Sequence, residues 1–187
     1  MRIIAGKYKG RLIRFPKHIR PTQDKIRQSI FDVLAPVVKG ARVLDLFAGS
    51  GAFGLEALSR DAKEVVFVDN DPRSCRVVIE NLKALGFGRW QGLGIGCFRQ
   101  EAFRAVRILE KKGRAFDIVF LDPPYNLDLA KKALKTLGDS GILTTRSFVI
   151  AEHSRTEILP NQAGCLSLLK HLQHGSTIVS IYQYNAE

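Results

Sequence analysis

Cysteine is scarce in this 187-residue sequence: Cys75, Cys97 and Cys165 are odd in number and far apart. They form no CxxC pair, so neither a disulfide framework nor a thiolate zinc site is expected. Three small buried hydrophobes in a reducing cytoplasm are the plainer reading. The four histidines, His18, His153, His171 and His174, make no metal spacing with acids or cysteines, and no metal is expected. No apolar run approaches the roughly 18 to 20 residues of a membrane span. Met1–Lys7 has no apolar core long enough for a signal peptide. These absences point to a cytoplasmic protein without a membrane partner. Repeats and low-complexity stretches are absent too.

Acidic residues are also in short supply, 18 against 29 Lys and Arg, giving a net charge of +11. The excess is local. Residues 1–40 hold ten basic and two acidic residues, while the other 147 hold 19 and 16. A basic N-terminal segment therefore precedes a nearly balanced body. Such a segment binds polyanions, because neutralising phosphates releases counterions. The plain alternative is a solvated basic face. An apolar content of 45% suits one globular domain with a small appendage.

Residues 2–5 and 11–15 read as two short strands around the turn-prone Gly6–Gly10 stretch. Thr22 is placed to cap a helix over 24–34, with Ile26, Ile30, Val33 and Leu34 on its buried side. Strand and helix patterns then alternate: strands over 42–47, 64–68, 92–97, 116–121 and 148–152, helices over 52–60, 72–85, 101–112 and 127–137. Leu166–Gln173 and Thr177–Tyr184 form a closing hairpin around His174-Gly175, and these two must be antiparallel. The alternation predicts an α/β fold with a mostly parallel, doubly wound sheet and an antiparallel C-terminal hairpin.

Gly49-Ser50-Gly51-Ala52-Phe53-Gly54 matches G-x-G-x-x-G between a strand and a helix, and Asp69 lies 20 residues after Gly49. By the dinucleotide rule this is an NAD site. Two features favour S-adenosylmethionine instead. Asp45, inside the preceding strand, suits the cationic amino-acid portion of that cofactor and would oppose a pyrophosphate. The loop after the fourth strand is Asp122-Pro123-Pro124-Tyr125, which has a methyl-transfer meaning and no dehydrogenase meaning. It falls at the carboxyl edge of the sheet, where such folds place ligands. Its prolines remove two N–H donors and fix the backbone. Carbonyls and the Asp122 carboxylate are left to receive an NH₂ group. An exocyclic base amine is a poor nucleophile. Holding its two hydrogens at Asp122 and at a backbone carbonyl, that of Pro123, aligns its nitrogen with the methyl group. Tyr125 offers a flat face for an unstacked base. The structural alternative is a surface turn.

The loop is similar to the [DNS]-PP-[YFW] motif of amino-methyltransferases. The whole chain more specifically resembles the RsmD family, the bacterial 16S ribosomal RNA guanine-N2 methyltransferases. The matching stretches are Arg2-Ile3-Ile4-Ala5-Gly6-Lys7 with Gly10-Arg11, Arg20-Pro21-Thr22 through Asp24, Arg27 and Phe31, Leu44–Gly51 through Ala57, and Phe116–Tyr125. The resemblance implies a Rossmann-like class I methyltransferase fold over residues 39–187. It also implies a hairpin-and-helix RNA-binding extension over 1–38, and S-adenosyl-L-methionine as methyl donor. The cofactor residues are then Asp45, Phe47, Ala48, Gly49, Ser50, Gly51, Asp69, Asn70 and Asp122. Asp69 takes the ribose hydroxyls. Glu101 is the candidate for the adenine amine, with Gln100 as the alternative. Lys7, Lys9, Arg11, Arg14 and Lys17 fit phosphate contacts. Arg20 and Arg27 shape the pocket mouth or grip RNA, unless Arg27 merely pairs with Asp24. The implied partner is small-subunit ribosomal RNA, free or within an assembled 30S particle, met by a monomer. The competing readings are a DNA adenine or cytosine amino-methyltransferase and a non-catalytic RNA-binding assembly protein on the same fold.

Overall fold

The computed structural model describes residues 1–15, 24–88, 94–125 and 128–185. The chain divides into two compact units, Met1–Glu101 and Ala102–Glu187. Among the described residues no helix is long and apolar enough to cross a membrane.

The first unit runs α1 (Asp24–Leu34), β1 (Arg42–Asp45), α2 (Ala52–Ser59), β2 (Glu64–Asp69), α3 (Pro72–Ala84) and β3 (Ile95–Arg99). Its strands lie in the order β3-β2-β1, all parallel. Val43, Leu44, Val65, Val66, Phe67 and Val68 are all buried. Such continuous apolar runs are what a parallel strand covered on both faces needs. Asp71 caps α3, its carboxylate accepting the Arg73 N–H at 2.8 Å, with Pro72 in the first turn.

Two expectations for this unit shift. The third strand was placed at 92–97 and begins instead at Ile95. Only Ile95 of its five residues is buried, so no hydrophobic period was there to fix its position. In α1 the buried face carries Arg27 and Phe31 with Ile26, Ile30 and Leu34, while Val33 is half-exposed. Thr22, the expected cap, lies outside the described residues.

The N-terminal hairpin is thinner than two strands. It has one bridge, Arg2 to Leu12, held by Ile3 N–H on Arg11 O (3.0 Å), Gly10 N–H on Ile3 O (2.9 Å) and Ile13 N–H on Met1 O (3.0 Å). A longer ladder does not form because the intervening amides go elsewhere. Ile4 and Ala5 donate to the Glu56 carboxylate, at 2.8 and 3.0 Å, and Lys7 donates to Ser59 O at 2.7 Å. The hairpin is thus welded to α2.

The second unit runs α4 (Ala102–Lys111), β4 (Phe116–Leu121), α5 (Leu129–Gly138), β5 (Leu143–Ser154), β6 (Gln162–Ala163), β7 (Leu166–His174) and β8 (Thr177–Tyr184). Its order is β4-β5-β8-β7-β6, with β4 and β5 parallel and the others antiparallel. Strand β5 starts five residues before the expected Phe148. A kink hides this: Arg146 has φ +67°, the register slips against Phe116 and Ile118, and Ser147 Oγ donates to Phe116 O at 2.7 Å. Thr144-Thr145-Arg146-Ser147 has no alternation that would mark a strand. The mostly parallel α/β architecture with an antiparallel C-terminal hairpin is as expected.

Candidate active site

In the first unit the glycine loop leaves β1 and opens α2. Asp45, the last residue of β1, is 1% exposed, and its Oδ2 accepts the Gly54 N–H at 3.0 Å. Its buried carboxylate therefore braces the start of α2. Gly49 and Gly51 have φ of +54° and +79°, which an L side chain strains to adopt. A Cβ on Gly54 would lie 2.2 Å from the Phe67 ring, so this third glycine lets α2 sit against β2. Ala48 N–H donates to Val68 O at 3.0 Å and stitches the loop to β2.

Asp69 ends β2 and closes the loop. Its Oδ2 accepts the Gly49 N–H and its Oδ1 the Asp71 N–H, each at 2.8 Å. A carboxylate has about four lone-pair sites, so two amides leave it acceptor capacity for hydroxyls. The backbone of Gln100 is tied in by its N–H on Asp69 O at 2.9 Å, and its Oε1 accepts the Glu101 N–H at 3.2 Å. Hydrogen bonds therefore join Gly49, Asp69 and Gln100. Asn70 and Glu101 are exposed beside them, Phe47 is half-buried, and Ala48 and Ser50 are buried. Beneath this edge Cys75 Sγ approaches Asp69 O at 3.6 Å and Cys97 Sγ approaches Cys75 O at 3.8 Å. Burial pushes the Cys97 thiol up to about 12 and raises Cys75 as well. These two are neutral packing groups. Of the three cysteines expected to be buried only Cys75 is, since Cys97 is half-buried and Cys165 exposed.

In the second unit Asp122-Pro123-Pro124-Tyr125 follows β4 directly. Pro123 is buried, Pro124 exposed, and Asp122 and Tyr125 half-buried. The Tyr125 hydroxyl donates to Glu152 Oε1 at 3.0 Å and lies 3.4 Å from Thr177 Oγ1. Burial first, and then the charge of Glu152, push the phenol above its ordinary range, so it stays a donor. Glu152 on β5 is 5% exposed. Sequence reasoning missed Glu152 and Thr177. The available signal was an acid directly after the apolar run Phe148-Val149-Ile150-Ala151.

The basic arm divides. Lys7, Lys9, Arg11 and Arg14 are exposed along the hairpin or just after it. Lys7 Nζ pairs with Asp61 at 2.7 Å, and Arg14 with Glu80 at 3.3 Å. The hydrogen bond between Lys7 and Asp61 raises the lysine and lowers the acid. Lys17 and Arg20 lie outside the described residues. Arg27 is a correction, since it is fully buried and cannot reach RNA. Its guanidinium donates to Met1 Sδ, to Arg2 O and to Asp24 Oδ1, with Nε 3.8 Å from Glu56 Oε2. Burial pulls its pKa down, opposed by the nearby Glu56 and Asp24 carboxylates. Glu56 is itself fully buried and also accepts Arg60 Nε at 2.9 Å. Arg27 is thus a post that ties the hairpin to α1 and α2. Its expected pair with Asp24 exists, at 3.1 Å. Among the described residues no group of three His, Cys, Asp or Glu side chains is placed to hold a metal ion.

A family model described as Conserved hypothetical protein 95 matches residues 1–183. YlbH of Bacillus subtilis (strain 168), provisionally named an rRNA methyltransferase, is 38% identical over 185 residues, covering 98% of each chain. Ribosomal RNA small subunit methyltransferase D of Escherichia coli (strain K12) is 34% identical over 189 residues, covering 100% of this chain and 91% of the relative. Among solved structures, yhhF from Escherichia coli, provisionally named a methyltransferase, superposes with a TM-score of 0.87 at 34% identity, covering 100% of this chain and 99% of that one.

Proposed function

The chain belongs to the Conserved hypothetical protein 95 family, the RsmD family that its sequence resembles. From that premise we propose that it transfers a methyl group from S-adenosylmethionine to the exocyclic N2 amine of a guanine in 16S ribosomal RNA. The observation that carries this reading is Asp122-Pro123-Pro124-Tyr125 leaving β4 with its tyrosine anchored to Glu152. Relatives named for small-subunit ribosomal RNA methylation support RNA as the acceptor.

The residues fit the cofactor. Gly49 and Gly51 supply the positive φ values that shape the loop, and the half-exposed Asp69 keeps acceptor capacity for ribose hydroxyls. Gln100 and Glu101 would border the adenine, and Asp45 braces the loop through the Gly54 N–H. Bound S-adenosylmethionine supplies an electrophilic sulfonium methyl. Asp122 and the Pro123 carbonyl accept the hydrogens of the guanine amine and orient its lone pair. Positioning of this kind can lower a barrier by up to about 7–11 kcal/mol in ideal cases. As the N–C bond forms, the sulfur–methyl bond would break with its electron pair kept on sulfur, S-adenosylhomocysteine would be the leaving product, and Asp122 receives the proton that the nitrogen then releases. Tyr125 stacks on the unstacked base. Residues 1–38 supply the cationic arm for phosphates and 39–187 the catalytic domain. The enzyme acts as a cytoplasmic monomer on small-subunit ribosomal RNA, free or within an assembled 30S particle.

Incubation with labelled S-adenosylmethionine and 16S RNA or 30S particles tests the reading, followed by nucleoside mass spectrometry. The expected product is N2-methylguanosine, lost in Asp122→Ala. Label retained in that variant would overturn the role of the loop. Label on duplex DNA would make the protein a DNA amino-methyltransferase. Absence of S-adenosylmethionine binding by calorimetry would leave an RNA-binding assembly protein.

A further inference from the structure

Asn81 sits in the last turn of α3 and is 2% exposed. A buried amide in a helix is costly unless each of its polar atoms is bonded. Here they are. Its Oδ1 accepts the Arg14 N–H at 2.9 Å, and its Nδ2 donates to Arg14 O at 2.8 Å and to Ser50 O at 3.0 Å. The two bonds to Arg14 imitate a strand pair. They fix the chain where the basic hairpin ends. The third bond fixes the carbonyl in the middle of the glycine loop. One side chain therefore grips both the arm that carries Arg11 and Arg14 and the loop that carries Gly49 and Gly51.

No isostere can do this. Aspartate keeps the acceptor but sets a carboxylate against two carbonyls. Leucine fills the space and leaves one N–H and two carbonyls without their partner. A residue wanted only for helix stability or packing would not be an amide with all three bonds spent on two separate segments. Glu56 and Ser59 of α2 and Arg27 of α1 also anchor the hairpin, but at residues no later than Tyr8.

We propose that Asn81 is a positioning residue that couples the RNA-binding arm to the cofactor loop, so that occupancy of one strengthens binding at the other. The inference rests on the function proposed above. Its content is thermodynamic: if RNA on the arm raises cofactor affinity by some factor, cofactor raises RNA affinity by the same factor. Asn81 touches neither ligand.

The test uses the full chain, S-adenosylhomocysteine as probe, and a small-subunit RNA fragment. Calorimetry measures the Kd of S-adenosylhomocysteine with and without saturating RNA, for the wild type, Asn81→Ala and Asn81→Asp. The wild type binds several-fold more tightly when RNA is present. Both variants bind about tenfold more weakly, the effect of one buried bond lost, and the enhancement by RNA disappears. A merely structural role would lower the melting temperature and leave the RNA enhancement unchanged, and that result would overturn the proposal. So would unchanged cofactor affinity in both variants. Should Asn81→Ala fail to fold, Asn81→Ser, which keeps one donor, carries the same comparison. A wild type that binds no S-adenosyl ligand overturns the proposed function, and this inference with it. A wild type that binds with no RNA enhancement overturns the coupling alone.

Discussion

At the scale of single residues, what was legible is what carries its chemistry in its type and its place after a strand. Asp69 and Asp122 each follow an apolar run and could be named from spacing. Their partners could not. Glu152 is one acid in a buried strand, and only the fold brings it to Tyr125. Arg27 is the opposite case. Its charge marked it for RNA, but a cation can be buried when acceptors surround it, and Glu56, Asp24, the Arg2 carbonyl and the Met1 sulfur do so. Tyr125 gives a prediction at this scale. If its hydroxyl only orients the ring, Tyr125→Phe keeps the stacking face and loses the tether to Glu152 and Thr177. Steady-state kinetics should then show kcat reduced by about ten- to a hundredfold, the worth of one hydrogen bond to a charged acceptor, with little change in KM for RNA. A large rise in KM with kcat intact would assign the hydroxyl to RNA contact instead.

At the scale of elements, long apolar-periodic segments were legible and polar or glycine-rich ones were not. Strand β4 and strand β8 fall where their patterns place them. Strands β3 and β5 do not, because glycines in one and Thr-Thr-Arg-Ser in the other erase the alternation that marks a strand. The N-terminal hairpin has a testable glycine asymmetry. Gly6 and Gly10 have nearly equal φ, +81° and +82°, but a Cβ on Gly6 would lie 1.8 Å from Ser59 O, while nothing lies within 4 Å of one on Gly10. Gly10→Ala should cost only the strain of a left-handed alanine, about 1–2 kcal/mol. Gly6→Ala must also push the hairpin off α2, so its loss should be about 3 kcal/mol or more, near 10 °C in Tm. Equal losses in thermal melts would mean that the hairpin is not docked on α2. The C-terminal strands carry a pH effect. His153 Nδ1 donates to Ser154 O at 3.0 Å, so its Nε2 accepts from Ser180 Oγ at 2.7 Å, and His171 Nδ1 donates to that oxygen at 3.0 Å. Burial, with His171 adding to it, holds the His153 pKa below its ordinary value. The unfolded chain therefore binds a proton more readily than the native one. Its contribution is complete above about pH 6.5 and is lost as pH falls from there toward the folded value. Melts between pH 7.5 and 5.5 should show a Tm drop that His153→Gln reduces. An identical drop in the variant would move the effect to other groups.

At the scale of the whole molecule, charge is distributed so that affinity and chemistry lie in different parts of the chain. The first 40 residues carry a net +8 and the other 147 a net +3. RNA binding should therefore be salt-driven and fall linearly in log K against log salt, each phosphate contact contributing a slope of about −0.7 to −0.9. The four described candidates for phosphate contact, Lys7, Lys9, Arg11 and Arg14, do not contribute equally. Lys7 and Arg14 already hold Asp61 and Glu80. Exposed pairs of this kind are weak, but they must open before either cation meets a phosphate. Lys9 and Arg11 carry no ion pair to Asp or Glu within the described arm and reach phosphate at lower cost. Replacing both by Gln should weaken RNA binding and flatten the slope by about 1.4 to 1.8. The Kd of S-adenosylhomocysteine measured without RNA should stay as it is, since neither residue touches the glycine loop. Filter binding across a range of salt concentrations makes the comparison. A parallel line, weaker but equally steep, would mean that these two side chains shape the hairpin and that the phosphates are met elsewhere on the surface.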